Sequence, residues 1–88
     1  MNLGITGQAK EDIAYWNKQD TTVAQRIFRL IENALETPFS GLGKPEPLKH
    51  SLQGYWSRRI SSEHRLVYKV AGDIVIIVSC RFHYAKFE

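Results

Sequence analysis

Eighty-eight residues with 43% hydrophobic content suffice for one modest core and not two, so a single domain over residues 1–88 is expected. The only cysteine, Cys80, excludes an intramolecular disulfide, and the absence of a cysteine/histidine cluster leaves no structural metal or cofactor expected. The net charge of +3 is unevenly spread: residues 1–43 hold four Lys/Arg against five Asp/Glu, whereas residues 44–88 hold eight against four together with His50, His64 and His83, an asymmetry that points to a polyanionic partner.

Residues 2–6 read as a short strand weakened by Gly4, and Thr6 as the N-cap of a helix beginning near residue 8. Ala9, Ile13 and Trp16 share one face of that helix. Asp20 caps a second helix in which Val23, Ile27, Leu30 and Ala34 form one apolar row and Ala24, Phe28, Ile31 and Leu35 the next, both assigned to the core. Thr37-Pro38 ends it, because a pre-proline residue disfavours the helical region. Residues 38–52 carry three prolines and two glycines without sustained periodicity. A loop of this length in so small a chain is expected to be ordered and functional, anchored by Phe39, Leu42 and Leu48.

Three strand-like runs follow, Tyr55 to Ile60, His64 to Val70 and Ile74 to Tyr84, and their short polar connections predict an antiparallel meander. The run Ile74 to Val78 is apolar on both faces, as a central strand requires, and is far too short to cross a bilayer, so a cytoplasmic protein without membrane association is expected. The fold class is α+β, a small antiparallel β-sheet packed against two N-terminal α-helices on one face.

Glu46 stands between Pro45 and Pro47 in the run Gly43-Lys44-Pro45-Glu46-Pro47-Leu48-Lys49-His50, so a carboxylate is held extended and stiff among cations. In the first hairpin a two-residue turn at Ser61-Ser62 sets Arg58 opposite Arg65, and a three-residue turn including Glu63 sets Arg59 opposite Arg65. Either register places two guanidinium groups side by side, which calls for an acid or an anion between them. With His83 near the chain end, the sequence holds a fixed carboxylate, an arginine pair and a histidine. These are the parts that remove a proton from an RNA 2′-hydroxyl, stabilise a pentacoordinate phosphate and protonate the leaving 5′-oxygen. Among the aromatics, Trp16, Trp56, Tyr68 and Phe82 are assigned to packing, and Tyr84 to an RNA contact.

The blocks Thr37-Pro38-Phe39, Gly43 to Lys49, Trp56-Ser57-Arg58-Arg59-Ile60, Glu63 to Tyr68 and Cys80-Arg81-Phe82-His83-Tyr84 closely resemble the Txe/YoeB family of toxins, within the RelE/ParE superfamily. The resemblance implies a toxin of a bacterial toxin–antitoxin pair, a ribosome-dependent endoribonuclease (mRNA interferase) that cuts mRNA in the A site without a metal and stops translation. By the same resemblance Glu46 is the general base, His83 the general acid, Arg65 the phosphate-stabilising cation and Tyr84 a substrate-orienting group. Lys49 and Arg59 correspond to RNA-facing positions, and His50, which closes the same basic run, is counted with them. Arg59 favours the three-residue turn. The implied partner is a YefM/Phd-type antitoxin, with DNA contacted only through the toxin–antitoxin complex, and members can form homodimers. Gly4-Ile5 and Ala9-Lys10 depart from the family's larger N-terminal residues, and Ala85 to Glu88 extend past its usual His-Tyr ending. The competing expectations are a same-fold inhibitor of DNA gyrase, a ribosome-independent ribonuclease and a simple RNA-binding module.

Overall fold

In the computed structural model, which describes residues 1–82, the chain runs β1 (Asn2–Ile5), α1 (Gly7–Gln19), α2 (Thr21–Glu36), β2 (Glu46–Pro47), a 3-10 turn (His50–Leu52), β3 (Tyr55–Arg59), β4 (Arg65–Ala71) and β5 (Ile74–Ser79). Both helix starts lie at the expected caps. Thr6 is extended and its hydroxyl accepts the Ala9 N–H at 3.1 Å. Asp20 serves both helices: its N–H closes α1 on the Trp16 carbonyl at 2.8 Å, and its carboxylate accepts the Thr22 and Val23 N–H groups. The two helices are thereby joined through a single residue.

The strands form one five-stranded sheet in the order β1-β5-β4-β3-β2. The expected meander is present in β3, β4 and β5, and β1 extends it by pairing parallel with β5, Leu3 opposite Val75 and Ile5 opposite Ile77, which makes the sheet mixed. β5 therefore lies between two neighbours, consistent with its apolar sequence. Both helices cover one sheet face. Ala9 and Trp16 of α1 and Ala24, Ile27, Leu30, Ile31 and Ala34 of α2 bury against Leu66, Tyr68, Val75, Ile77 and Cys80. Phe28, assigned to this core, is instead 44% exposed, because the buried stripe of α2 runs through Ile27 and Ile31 and Phe28 lies at its margin. The last strand also stops earlier than expected. At Cys80 the backbone turns onto α1, where Asp12 Oδ2 accepts the Cys80 N–H at 3.0 Å and Trp16 Nε1 donates to the Cys80 carbonyl at 2.8 Å.

Arg58 is 0% exposed, its guanidinium held by five oxygens that carry no formal charge. Nε donates to the Tyr68 hydroxyl at 2.9 Å, Nη1 to Asn33 Oδ1 and the Leu42 carbonyl at 2.6 and 3.1 Å, and Nη2 to the Thr37 and Ser40 carbonyls at 2.6 and 3.0 Å. The Tyr68 hydroxyl in turn donates a hydrogen bond to the Pro38 carbonyl at 2.7 Å, and Asn33 Oδ1 also accepts the Leu42 N–H at 2.9 Å. A buried cation with this many acceptors is solvated by the protein in place of water. The result is to bind the loop after α2 to the middle of the sheet. Phe39 and Leu42, expected as apolar anchors, are 54% and 44% exposed; the Phe39 ring packs tilted at 46° against Trp56, 5.0 Å between centroids, and Leu42 anchors through its backbone. Leu48 is buried as expected.

Replacing Arg58 by Met is expected to destabilise the chain by about 3–5 kcal/mol, and Tyr68→Phe by about 1–2 kcal/mol, both read by urea unfolding. Burial raises the Tyr68 phenol above its usual range, against the opposing pull of Arg58, and burial with the nearby Asp12 charge pushes the Cys80 thiol up to about 12 from 9.0. Both groups hold a proton in the folded state that the unfolded chain releases, so they stabilise below the ordinary pKa values and that contribution is lost as pH rises towards 12. Stability measured across pH 8–12 is expected to fall, and Cys80→Ala to flatten the decline; an unchanged slope in that variant removes Cys80 as a cause.

Candidate active site

Residue alternation sorts the charged side chains between the two sheet faces. Arg58 and Tyr68 point to the helices. Glu46 pairs with Ser57, Ser57 with Val67 and Val67 with Ser79, so these four form a row across the face that carries no helix. One pleat away on that face Arg59 stands opposite Arg65, as the three-residue register of the hairpin predicts. One pleat away in the other direction are Tyr55 and Lys69, with the lysine ammonium 5.5 Å from the ring centroid. Leu48 continues β2 beside them, its N–H donating to the Tyr55 carbonyl at 2.9 Å. Leu48 and Val67 are buried yet belong to no part of the helix-side core, so they give this face an apolar floor of its own.

Glu46 reaches its place through a crowded turn. Gly43 has φ +77, and a Cβ there would meet Leu30 Cδ2 at 2.8 Å and Arg58 Cβ at 3.1 Å, so only glycine allows the chain to cross so close to α2 and β3. Its carbonyl accepts the Arg59 N–H at 2.7 Å. Pro45, Glu46 and Pro47 then run along the sheet edge, where a residue without an N–H is tolerated and discourages further pairing. The loop expected over residues 38–52 thus contains a two-residue edge strand, and the carboxylate on it is exposed.

Arg59 is exposed, and its backbone carbonyl is held by Arg26 Nη2 at 3.0 Å. Arg65 is largely buried, and its hydrogen bonds run through Nη1 to the Ser61, Ser62 and His64 carbonyls at 2.6, 3.4 and 3.1 Å. These turn carbonyls offset the guanidinium crowding of the Arg59/Arg65 pair, the role expected of an acid or an anion. From the spacing of paired strands and a two-residue step, the Glu46 and Arg65 backbones are about 12 Å apart, a gap for two long side chains and a ligand between them. Lys49 and His50 are exposed beyond β2 at the end away from Arg59 and Arg65, with His50 at φ +58 opening the 3-10 turn. His83 and Tyr84 lie outside the described residues. Phe82, assigned to packing, is exposed.

The sequence reading passed over Asp12, Ser57 and Ser79. Asp12 was legible from its place three residues after Ala9 and four before Trp16, on the buried row of α1. The two serines had no such signal, since only the cross-strand register places them in the Glu46 row. Among the described residues no three His, Cys, Asp or Glu side chains gather where they could hold a metal ion, and no helix is long and apolar enough to cross a membrane. Among the described residues Ser79 Oγ is buried and finds no hydrogen-bond partner. Ser79→Ala is therefore expected to be neutral or stabilising, by up to about 1 kcal/mol in thermal unfolding, since the hydroxyl is desolvated without compensation.

The family model described as the YoeB-like toxin of bacterial type II toxin–antitoxin systems matches residues 5–84. Toxin YoeB of Escherichia coli strain K12 is 49% identical over 84 residues, covering 96% of this chain and 100% of that protein. Among solved structures, the YoeB/ParE toxin from Agrobacterium tumefaciens superposes with a TM-score of 0.92 at 49% identity, over 96% of this chain and 100% of the other. The Staphylococcus aureus YoeB, solved as a dimer and in complex with YefM, superposes with TM-scores of 0.87 and 0.86 at 41% and 40% identity, over 96% of this chain and 98% of the other in each case. A match of this extent over both sequence and fold leads to one conclusion: the chain belongs to the YoeB-like toxins of bacterial type II toxin–antitoxin systems.

Proposed function

We propose that this toxin is a ribosome-dependent endoribonuclease that acts in the cytoplasm and cuts mRNA in the ribosomal A site. The observation that carries the reading is the placement of Glu46 in the middle row of the helix-free sheet face, with Arg59 and Arg65 on one side of it and Lys69 on the other. A carboxylate between two rows of cations suits a phosphodiester, whose phosphate the cations attract while the acid faces the ribose.

In the proposed reaction Glu46 takes the proton of a 2′-hydroxyl, and that oxygen attacks the adjacent phosphorus. Arg65, with Nε and Nη2 not committed to the turn carbonyls, offsets the charge of the pentacoordinate phosphate, and Arg59 opposite it adds a second cation. The bond from phosphorus to the 5′-oxygen breaks, and His83 supplies the proton that the leaving oxygen takes up. Tyr84 orients the scissile nucleotide. Lys49 and His50 bind the strand beyond Glu46. Glu46 exposed on an edge strand is open to proton exchange with solvent, as a base that must be regenerated requires.

The partner proposed for neutralisation is a YefM/Phd-type antitoxin, in line with the YoeB–YefM complex from Staphylococcus aureus, and a homodimer is the free form proposed from the dimer of that relative. DNA contact is assigned to the antitoxin in the complex.

Primer extension on mRNA bound to translating ribosomes tests the reading. Cleavage within A-site codons is expected, lost on adding the antitoxin. Glu46→Gln and His83→Gln are each expected to lower the rate by about 100-fold or more, the usual scale for removing a general base or acid. Full cleavage by both variants would overturn the assigned roles. Equal rates on naked RNA would make the enzyme ribosome-independent, and inhibition of gyrase supercoiling without any cleavage would replace the reading altogether.

A further inference from the structure

The three residues that lead to His83 are each held by a different contact. Cys80 is gripped by α1 at both its N–H and its carbonyl, through Asp12 and Trp16. The Arg81 guanidinium lies over the Tyr15 ring, 3.5 Å from its centroid. Phe82 donates its N–H to His64 Nδ1 at 2.7 Å, and its carbonyl accepts the Arg65 N–H at 3.1 Å. Phe82 has φ +66, a conformation that side-chain-bearing residues seldom adopt and that persists where surrounding contacts over-determine it. The Nδ1 contact is the short one of the two that bracket this residue.

His64 is itself fixed. Its ring stands edge-on to Trp16, 4.8 Å between centroids at 82°, and its N–H donates to the Ser61 hydroxyl at 3.2 Å within the same turn whose carbonyls hold Arg65. A ring nitrogen that accepts an N–H presents a lone pair, so Nδ1 is unprotonated and the ring proton sits on Nε2. The half-buried His64 ring thus connects the α1 core with the peptide that precedes His83, while its backbone N–H ties the same residue into the Arg65 turn.

We propose that His64 is a positioning residue for the cleavage reaction: by accepting the Phe82 N–H it holds the strained Phe82 peptide, and with it the covalent lead-in to His83 and Tyr84, in register with Arg65. The inference rests on the function proposed above. It requires two properties of one side chain, an acceptor at the Nδ1 position and a flat face for Trp16, and these can be separated. His64→Phe keeps the face and removes the acceptor. His64→Asn keeps an acceptor near the Nδ1 position and gives up the ring.

The test measures single-codon cleavage on programmed ribosomes together with exchange of the Phe82 amide proton. His64→Phe is expected to release the Phe82 amide to faster exchange and to lower kcat by about 10- to 100-fold with KM within about twofold, the scale of a misplaced catalytic group. His64→Asn is expected to restore amide protection and most of kcat. Should the Phe variant fail to fold, His64→Leu, also without an acceptor, takes its place. A variant that loses Phe82 protection yet keeps wild-type kcat overturns the positioning role, as does an Asn variant that protects the amide and stays as slow as Phe. A wild-type chain that cleaves no ribosome-bound mRNA overturns the function itself and this role with it, whereas the other two outcomes leave the function standing.

Discussion

The buried guanidinium of Arg58 is the constraint on which the rest of the structure depends. It lies between the sheet and α2, and its five neutral acceptors come from β4, from α2 and from the loop that follows α2. Burying a cation without a counter-ion is costly unless its donors are satisfied, and here the oxygens at Thr37, Ser40 and Leu42 can satisfy them only if the loop keeps one path. That path ends at Gly43, which crosses against Leu30 and Arg58 and hands the chain to Pro45 and the edge strand. The position of Glu46 is thus set less by its flanking prolines alone than by an arginine that never reaches the surface.

A second constraint is the use of both helices on one face. Because α1 and α2 cover the same side of the sheet, the other side is left to Glu46, Arg59, Arg65 and Lys69 over a small floor of Leu48 and Val67. The two neighbouring arginines of β3 divide the work by alternation. Arg58 points inward and holds the loop, and Arg59 points outward with Arg65 opposite. A shift of one residue in the register would exchange their places, removing the loop's anchor and burying the cation meant for the open face.

The end of β5 shows how the core extends to the segment that leads to His83. Asp12 and Trp16 are one helical turn apart and take the two polar groups of Cys80, so the chain leaves the sheet at a defined point. From there each residue to Phe82 is engaged by Tyr15, His64 or Arg65. The contacts join α1, the β3–β4 turn and the lead-in to His83 into one unit, so packing of the first helix and the geometry of the open face are coupled.

Much of this was legible in the amino-acid order, because the signals are local. Thr6 and Asp20 cap helices through their own neighbours, the 3.6-residue apolar rows mark α1 and α2, and short polar turns mark the meander. The multi-residue blocks from Thr37 to Tyr84 also carried the family. What the sequence left open are matters of register and of long-range partners. Side-chain alternation left both Arg58 and Arg59 open opposite Arg65 and only the family resemblance favoured Arg59, while nothing local signalled that Asn33, Tyr68 and three loop carbonyls would converge on one guanidinium, since those groups are separated by up to 25 residues from Arg58. It placed Phe28 inside and carried the last strand past Ser79, because periodicity reports which side chains could be buried and not how wide the covering surface is. Local backbone preferences and side-chain spacing determined the elements and their capping; only tertiary packing decided which arginine was buried, where β5 ended and which charged groups met on one face, because those outcomes depend on contacts between residues far apart in the chain.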